Sequence, residues 1–308
     1  MKNSGALMVA ALAVFCLYLW LSPAAALALG AAASLLWGPP PARQTHDLAG
    51  QLLKASVVGL GFGMNLQEVL RVGREGFLYT AFGIVFALGA GRLLGRLLRV
   101  EKRTSYLVSV GTAICGGSAI ADLGPVLEAD EDSMSVALAT VFALNGLALI
   151  LFPPIGRALG LDGRQFGLWA ALAIHDTSSV VGAALKYGPS ALAVATAAKL
   201  ARALWIVPVS LATAAVRGSG SRVRYPWFIL LFALAAALNT ALPALAPAWK
   251  TLGFLAKASL TATLFLIGTS LTPATFAKAG PRSLAQGILL WALVGATSLA
   301  LIRTGIIH

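Results

Sequence analysis

Two short stretches, Cys115-Gly116-Gly117-Ser118 and His175-Asp176-Thr177-Ser178, place a thiol, an imidazole, a carboxylate and three hydroxyls in the middle of apolar runs. A third run carries Lys199 and Arg202, three residues apart and therefore on one face of a helix. Gly116-Gly117 can interrupt a helix and Ser118 can cap a new one, and Thr177 or Ser178 can do the same in the second stretch. Each restart would expose a half-helix N-terminus, whose free N–H groups and positive dipole end attract anions by about 0.3 to 2 kcal/mol. With two basic side chains nearby, the chemistry favours a small oxyanion. These ten residues are the candidate substrate-binding set.

His175, Asp176 and Asp122 are candidates for ion coupling, because an imidazole changes charge near neutral pH and the carboxylates can hold a cation. His175 and Asp176 are neighbours, so on a helix they point about 100° apart and form no dyad. Two other readings stay open. Asp122 and Asp176 can serve a proton- or sodium-coupled cation antiporter, with Lys199 competing for the site; or Cys115 can be a nucleophile with His175 as its base. A plainer reading makes Gly116-Gly117-Ser118 a close-packing patch and Asp176 a buried partner of Arg202. No catalytic residue, metal ligand or cofactor is expected.

The elements that must position these groups are membrane spans. Hydrophobic residues make up 58% of the 308 and charged ones 11%, and the mean hydropathy is +0.85, which excludes a water-exposed globule. The net charge of +12 sits mainly between apolar segments, which points to topology and not to nucleic acid. Cys16 and Cys115 offer neither a disulfide framework nor a metal pair. The expected partners are a small anionic substrate and the lipid bilayer, and a homodimer is admitted.

At about 17 to 25 residues per span, the sequence divides into eleven segments (ten if a short one fails to cross): roughly 6–22, 24–38, 48–65, 75–98, 102–128, 132–158, 164–186, 189–216, 226–242, 250–272 and 282–304. The run after Met1-Lys2 reads as an uncleaved first span. One transporter domain over 1–308 is expected, with an extra N-terminal span at 1–23 and halves at 24–158 and 164–304. These halves would be inverted repeats of five spans with discontinuous helices.

Orientation follows from Lys and Arg in short loops. Arg96, Arg99, Lys102 and Arg103 precede one segment, and Glu128, Asp130, Glu131 and Asp132 follow it, so the two loops are assigned to opposite faces. Alternation then places Arg157, Arg164, Lys278 and Arg282 inside, Arg71 and Arg74 outside, the N-terminus in the cytoplasm and the C-terminus outside an inner (plasma) membrane. Ile114 and Ile174 align at an offset of sixty, but two crossings in the same direction cannot be inverted partners. Gly268 to Pro273 is the remaining candidate partner. The glycines Gly59, Gly61, Gly63, Gly89, Gly91 and Gly95 lack a strand-to-helix context and read as helix-packing positions, not a nucleotide loop.

Ionised side chains at mid-depth cost about 2.5 to 3.5 kcal/mol on insertion scales. Lys54 and Lys257 lie near span ends and can snorkel, whereas Lys199 and Arg202 need a partner or a watery cavity.

The chain resembles the YeiH-like membrane proteins, a family assigned to sulfate export. The resemblance rests on Ile114 to Ala121, on Ile174-His175-Asp176-Thr177 followed by Val180-Val181-Gly182-Ala183, on Lys199-Leu200-Ala201-Arg202 leading to Pro208, and on Tyr225-Pro226-Trp227-Phe228. Asp122 and Ser179 depart from the pattern, which has a small apolar residue and a glutamine there. The resemblance implies an exporter of sulfate, sulfite or a sulfonate. Through the similar sodium/proton antiporter-like and bile-acid symporter-like carriers, it implies inverted repeats, broken helices crossing near the midplane, and a core moving against a panel.

Overall fold

The structure, a computed structural model, describes residues 23–38, 42–217, 226–270 and 273–307. The first expected span, with Lys2 and Cys16, lies outside the described residues, as do Arg222, Arg224 and Tyr225. Among the described residues every regular element is a helix. In chain order these are α1 (Pro23–Trp37), α2 (Ala42–Gly61), α3 (Leu66–Leu97), α4 (Lys102–Ala113), α5 (Gly117–Val126), α6 (Glu131–Ala158) and α7 (Gly163–Ala173). There follow α8 (Thr177–Tyr187), α9 (Pro189–Ala203), α10 (Ile206–Arg217), α11 (Trp227–Ala241), α12 (Ala246–Gly268), α13 (Pro273–Ala279) and α14 (Pro281–Arg303).

Among the described residues, five stretches are long and apolar enough to cross a membrane: α3, α6, α9 with α10, α12 with the turn before it, and α14. The burial pattern is that of a lipid-facing protein. α3 exposes Leu70, Phe77, Leu78, Phe82, Val85 and Leu93, while Lys199 and Arg202 are 0% and 1% exposed.

Local signals fix the helix starts. Asn65, Glu101, Asp130, Asp162 and Asp176 each accept a first-turn backbone N–H as N-caps, and Asp162 with Gln165 completes a capping box. Pro189 opens α9 at a position where its missing N–H costs nothing.

The segments 102–128 and 164–186 do not cross. Each folds back at its polar break into a helical hairpin. A Cβ on Gly111 would lie 3.0 Å from Ile120 Cδ1, whereas nine residues of continuous helix span about 13 Å. Phe166 and Tyr187 stack with ring centroids 3.7 Å apart, where an unbroken helix would separate them by about 30 Å. Gly111 approaches Val141, so α4 runs parallel to α6, and Gly117 with Phe142 and Gly124 with Met134 make α5 antiparallel to it. The Asp176 amide reaches Asn145 and Gly156 touches Tyr187, so α8 also runs parallel to α6. Hence α4 and α7 enter from opposite ends of α6 and meet at its middle.

This geometry corrects the assignment of loops to faces. Ser133 at the start of α6 donates to Glu101 at the start of α4, 3.5 Å away, so the acidic 128–132 turn shares a face with Arg99 to Arg103. At the opposite face Arg164 pairs with Glu75 at 2.8 Å and Arg303 donates to the Leu159 carbonyl at 3.0 Å. Arg157 and Arg164 therefore lie on the face of Arg74 and the end of α14. The physical reason is that each hairpin returns to the face it came from, removing one crossing. Two removals leave the parity of the chain unchanged.

Packing divides the helices into two groups. α2, α11 and α12 pack together with α1, and α4 to α9 pack with α3 and α14 around the hairpins. Small residues allow the closest approaches: a Cβ on Gly91 or Gly95 would overlap the Ser109 or Ser105 side chain, which supports the packing reading of those glycines.

Candidate functional site

The two hairpin tips, residues 114–116 and 174–176, touch at the centre of the core. Gly116 has φ +70°, and a Cβ there would lie 3.2 Å from Asp176 Cα and Cβ and 3.3 Å from its amide nitrogen. Only glycine meets both demands, the left-handed backbone and the close approach.

A helix that ends inside a membrane leaves its last four carbonyls without partners. In α4 all four are answered. Ile114 N–H reaches Val110 O, Gly116 N–H reaches Gly111 O, and Arg202 donates from Nε to Ala113 O at 2.6 Å and from Nη2 to Thr112 O at 3.3 Å. In α7, Ile174 N–H reaches Ala170 O, and Arg202 Nη1 donates to Leu172 O at 2.6 Å. Lys199 Nζ donates to Ile174 O at 2.7 Å and Ala171 O at 3.4 Å. The two cations thus sit at the negative dipole ends of two half-helices, joining both hairpins to α9. Their shared face, read from the spacing, is what allows this.

Asp176 is spent locally. Its Oδ2 accepts from the Ser178 and Ser179 amides at 3.1 and 3.3 Å and from the Ser178 hydroxyl, so it caps α8 and is not the partner of Arg202. The α5 N-terminus differs: Gly116 provides no side-chain cap. Cys115 is 4% exposed, Ser118 is exposed on α5, and Asp122 is half-buried one turn on. The structure therefore gathers Cys115, Gly116, Gly117, His175, Asp176, Thr177, Ser178, Lys199 and Arg202 around one point, with Ser118 and Asp122 toward its edge.

One residue escaped the sequence reading. Asn145, in the middle of α6 and 3% exposed, accepts the Asp176 N–H through Oδ1 at 3.2 Å. The available signal was a lone amide inside an apolar span. Beside the tips, buried polar atoms lack protein partners: Asn145 Nδ2, both nitrogens of His175, and Ser179 Oγ. Each such group costs about 1 to 3 kcal/mol when left unpaired. The remaining orphaned atoms among the described residues are Ser34 Oγ and Gln286 Oε1, so most of the deficit is concentrated here. On the far side of Arg202 a crevice lined by Tyr79, Phe86, Leu172 and Val294 runs between α3 and α14.

A family model described as Conserved hypothetical protein 698 matches residues 5–287. The chain belongs to this family. Among relatives of the Conserved hypothetical protein 698 family, UPF0324 membrane protein Bd1437 of Bdellovibrio bacteriovorus is 48% identical, the match covering 96% of this chain and 93% of the relative. UPF0324 membrane protein GSU2818 of Geobacter sulfurreducens is 47% identical over 95% of this chain and 94% of its own length. A UPF0324 membrane protein of Porphyromonas gingivalis is 50% identical over 92% and 87%. These matches agree with the YeiH-like resemblance read from the motifs. No solved structure matches the chain.

Proposed function

We infer that this membrane protein is a secondary transporter of a small oxyanion, with sulfate, sulfite or a sulfonate as the substrate class, working by alternating access. The observation that carries the reading is the meeting of the two hairpin tips, where two half-helices begin and two end within one buried point. Non-helical backbone at such depth is tolerated where protein buries it or a cavity lies beside it, and broken helices of this kind serve carriers as ion and substrate sites. Lys199 and Arg202 neutralise the helix C-termini, which leaves the positive α5 N-terminus at Gly117 and Ser118 to act on an anion. In this reading His175 or Asp122 couples a proton, and the partners are the anion and the bilayer.

The inverted repeat we assign is shorter than the halves 24–158 and 164–304. It pairs hairpin α4–α5 and α6 with hairpin α7–α8 and α9–α10, entered from opposite faces, and so makes Ile114 and Ile174 equivalent. The face of Arg96, Arg99, Lys102, Arg103, Lys278 and Arg282 is assigned to the cytoplasm of an inner membrane, with the end of α14 outside. The described residues would then cross eight times.

The cation antiporter is the second reading, favoured by the half-buried Asp122. It is weakened at Asp176, whose carboxylate is committed to its own helix. No covalent step belongs to either reading. Flux of labelled sulfate and sulfite into proteoliposomes tests the choice. Anion flux without a sodium requirement supports the oxyanion carrier, and sodium-driven proton flux indifferent to both anions would replace it with the antiporter.

A further inference from the structure

We propose that Asn145 Nδ2, the His175 imidazole and the Ser179 hydroxyl form one binding subsite, and that it takes an oxyanion bearing one hydrogen, of the hydrogen sulfite type. The inference rests on the oxyanion reading and specifies the part of the site that does the recognising.

The orientation of Asn145 is set by chemistry. Asp176 N–H is a donor, so the atom facing it at 3.2 Å is the amide oxygen, and Nδ2 is turned to the other side. That nitrogen has no partner in the protein, although Asn145 is only 3% exposed. His175 and Ser179 flank Asp176 at the same tip. Each is 1% exposed, and His175 Nδ1, His175 Nε2 and Ser179 Oγ are equally without partners. Native interiors rarely leave such atoms unpaired, and a group of them at a helix N-terminus calls for a partner from outside the chain, a bound ligand or an ordered water.

The set of donors decides which ligand. The Lys199 ammonium and the Arg202 guanidinium direct hydrogen bonds to backbone carbonyls. The buried groups left without partners at this tip are uncharged: an amide NH2, a hydroxyl and an imidazole. A neutral imidazole presents one donor and one acceptor whichever tautomer it adopts. Four N–H or O–H donors, two on Asn145 Nδ2 and one each on His175 and Ser179, and one bare imidazole nitrogen are completed by a group with several oxygens and one hydrogen. Fully ionised sulfate has oxygens on every side and no hydrogen for the bare imidazole nitrogen.

The test is affinity measured on purified full-length protein in detergent, at slightly acidic pH, with sulfite and sulfate as probes. Sulfite should bind at least tenfold more tightly than sulfate. Ser179→Ala and His175→Phe should each weaken sulfite binding at least threefold while leaving the melting temperature of the anion-free protein unchanged or higher, because the deleted atoms have no protein partner. Asn145→Leu should weaken it at least tenfold. If Asn145→Leu fails to fold, the other two variants still decide. Sulfite binding unchanged in Ser179→Ala and His175→Phe would overturn the subsite and leave the carrier reading intact. Binding of neither anion by the wild type would overturn both.

Discussion

Gly116 and Asp176 meet backbone to backbone: a Cβ on Gly116 would lie 3.2 Å from Asp176 Cα, so one of the two tips would have to give by a few tenths of an ångström. Gly116→Ala must also hold φ +70° with ψ −128°, a region open to little but glycine, which costs about 1 to 3 kcal/mol. We expect this variant to lower the melting temperature modestly and to cut anion flux in proteoliposomes more than tenfold, since both tips are displaced. Wild-type flux in Gly116→Ala would show that the contact is incidental.

Arg202 is predicted to matter first for stability. Replacing it with Met leaves the Thr112, Ala113 and Leu172 carbonyls unpaired in the core, at about 1 to 3 kcal/mol each. Arg202→Met should melt far below wild type, and Arg202→Lys, which can answer fewer carbonyls, should fall between them. A thermal melt in detergent is sufficient; an Arg202→Met protein as stable as wild type would mean that these hydrogen bonds contribute nothing.

Much of this site was legible in the sequence, because glycine and polar residues inside apolar runs are costly enough to mark themselves. The breaks at Cys115 to Ser118 and at His175 to Ser178 lie where the chain departs from helix. The course of the chain on either side was not legible. Two helices of ten to twelve residues add up to the length of one span, so a hairpin and a crossing have the same hydrophobic length. Reading a crossing placed Glu128 to Asp132 opposite Arg99 to Arg103, and it made the Ile114 and Ile174 stretches parallel. The hairpins reverse both inferences, and the repeat we propose pairs the two stretches of the echo at an offset of sixty as inverted partners. Asn145 was missed because one amide in a span has no pattern to belong to.

The hairpins predict an unusual pattern of accessibility. With Cys16 replaced by Ser and the buried Cys115 kept, single cysteines at Arg99, Glu131, Arg157 and Lys186, all exposed positions, can be labelled in intact cells with a membrane-impermeant maleimide. Positions 99 and 131 should share one face, and 157 and 186 the other. If 99 and 131 label from opposite sides, segment 102–128 crosses and the fold described above is wrong there.

Cys115 should be dispensable. Its side chain is 4% exposed at the tip, and His175 makes no hydrogen bond with it. Cys115→Ala should keep at least half of wild-type flux, measured in proteoliposomes; complete loss with normal folding would revive the nucleophile reading.

The most direct measurement of the central claim is a crystal or cryo-EM structure of the protein soaked with selenite, a heavier relative of sulfite whose selenium is located by anomalous scattering or by difference density. The account predicts one selenium between the α5 N-terminus at Gly117 and the Asn145 amide, within hydrogen-bond reach of His175 and Ser179. A selenium bound elsewhere in the protein, or none at the tips at saturating selenite, would contradict it.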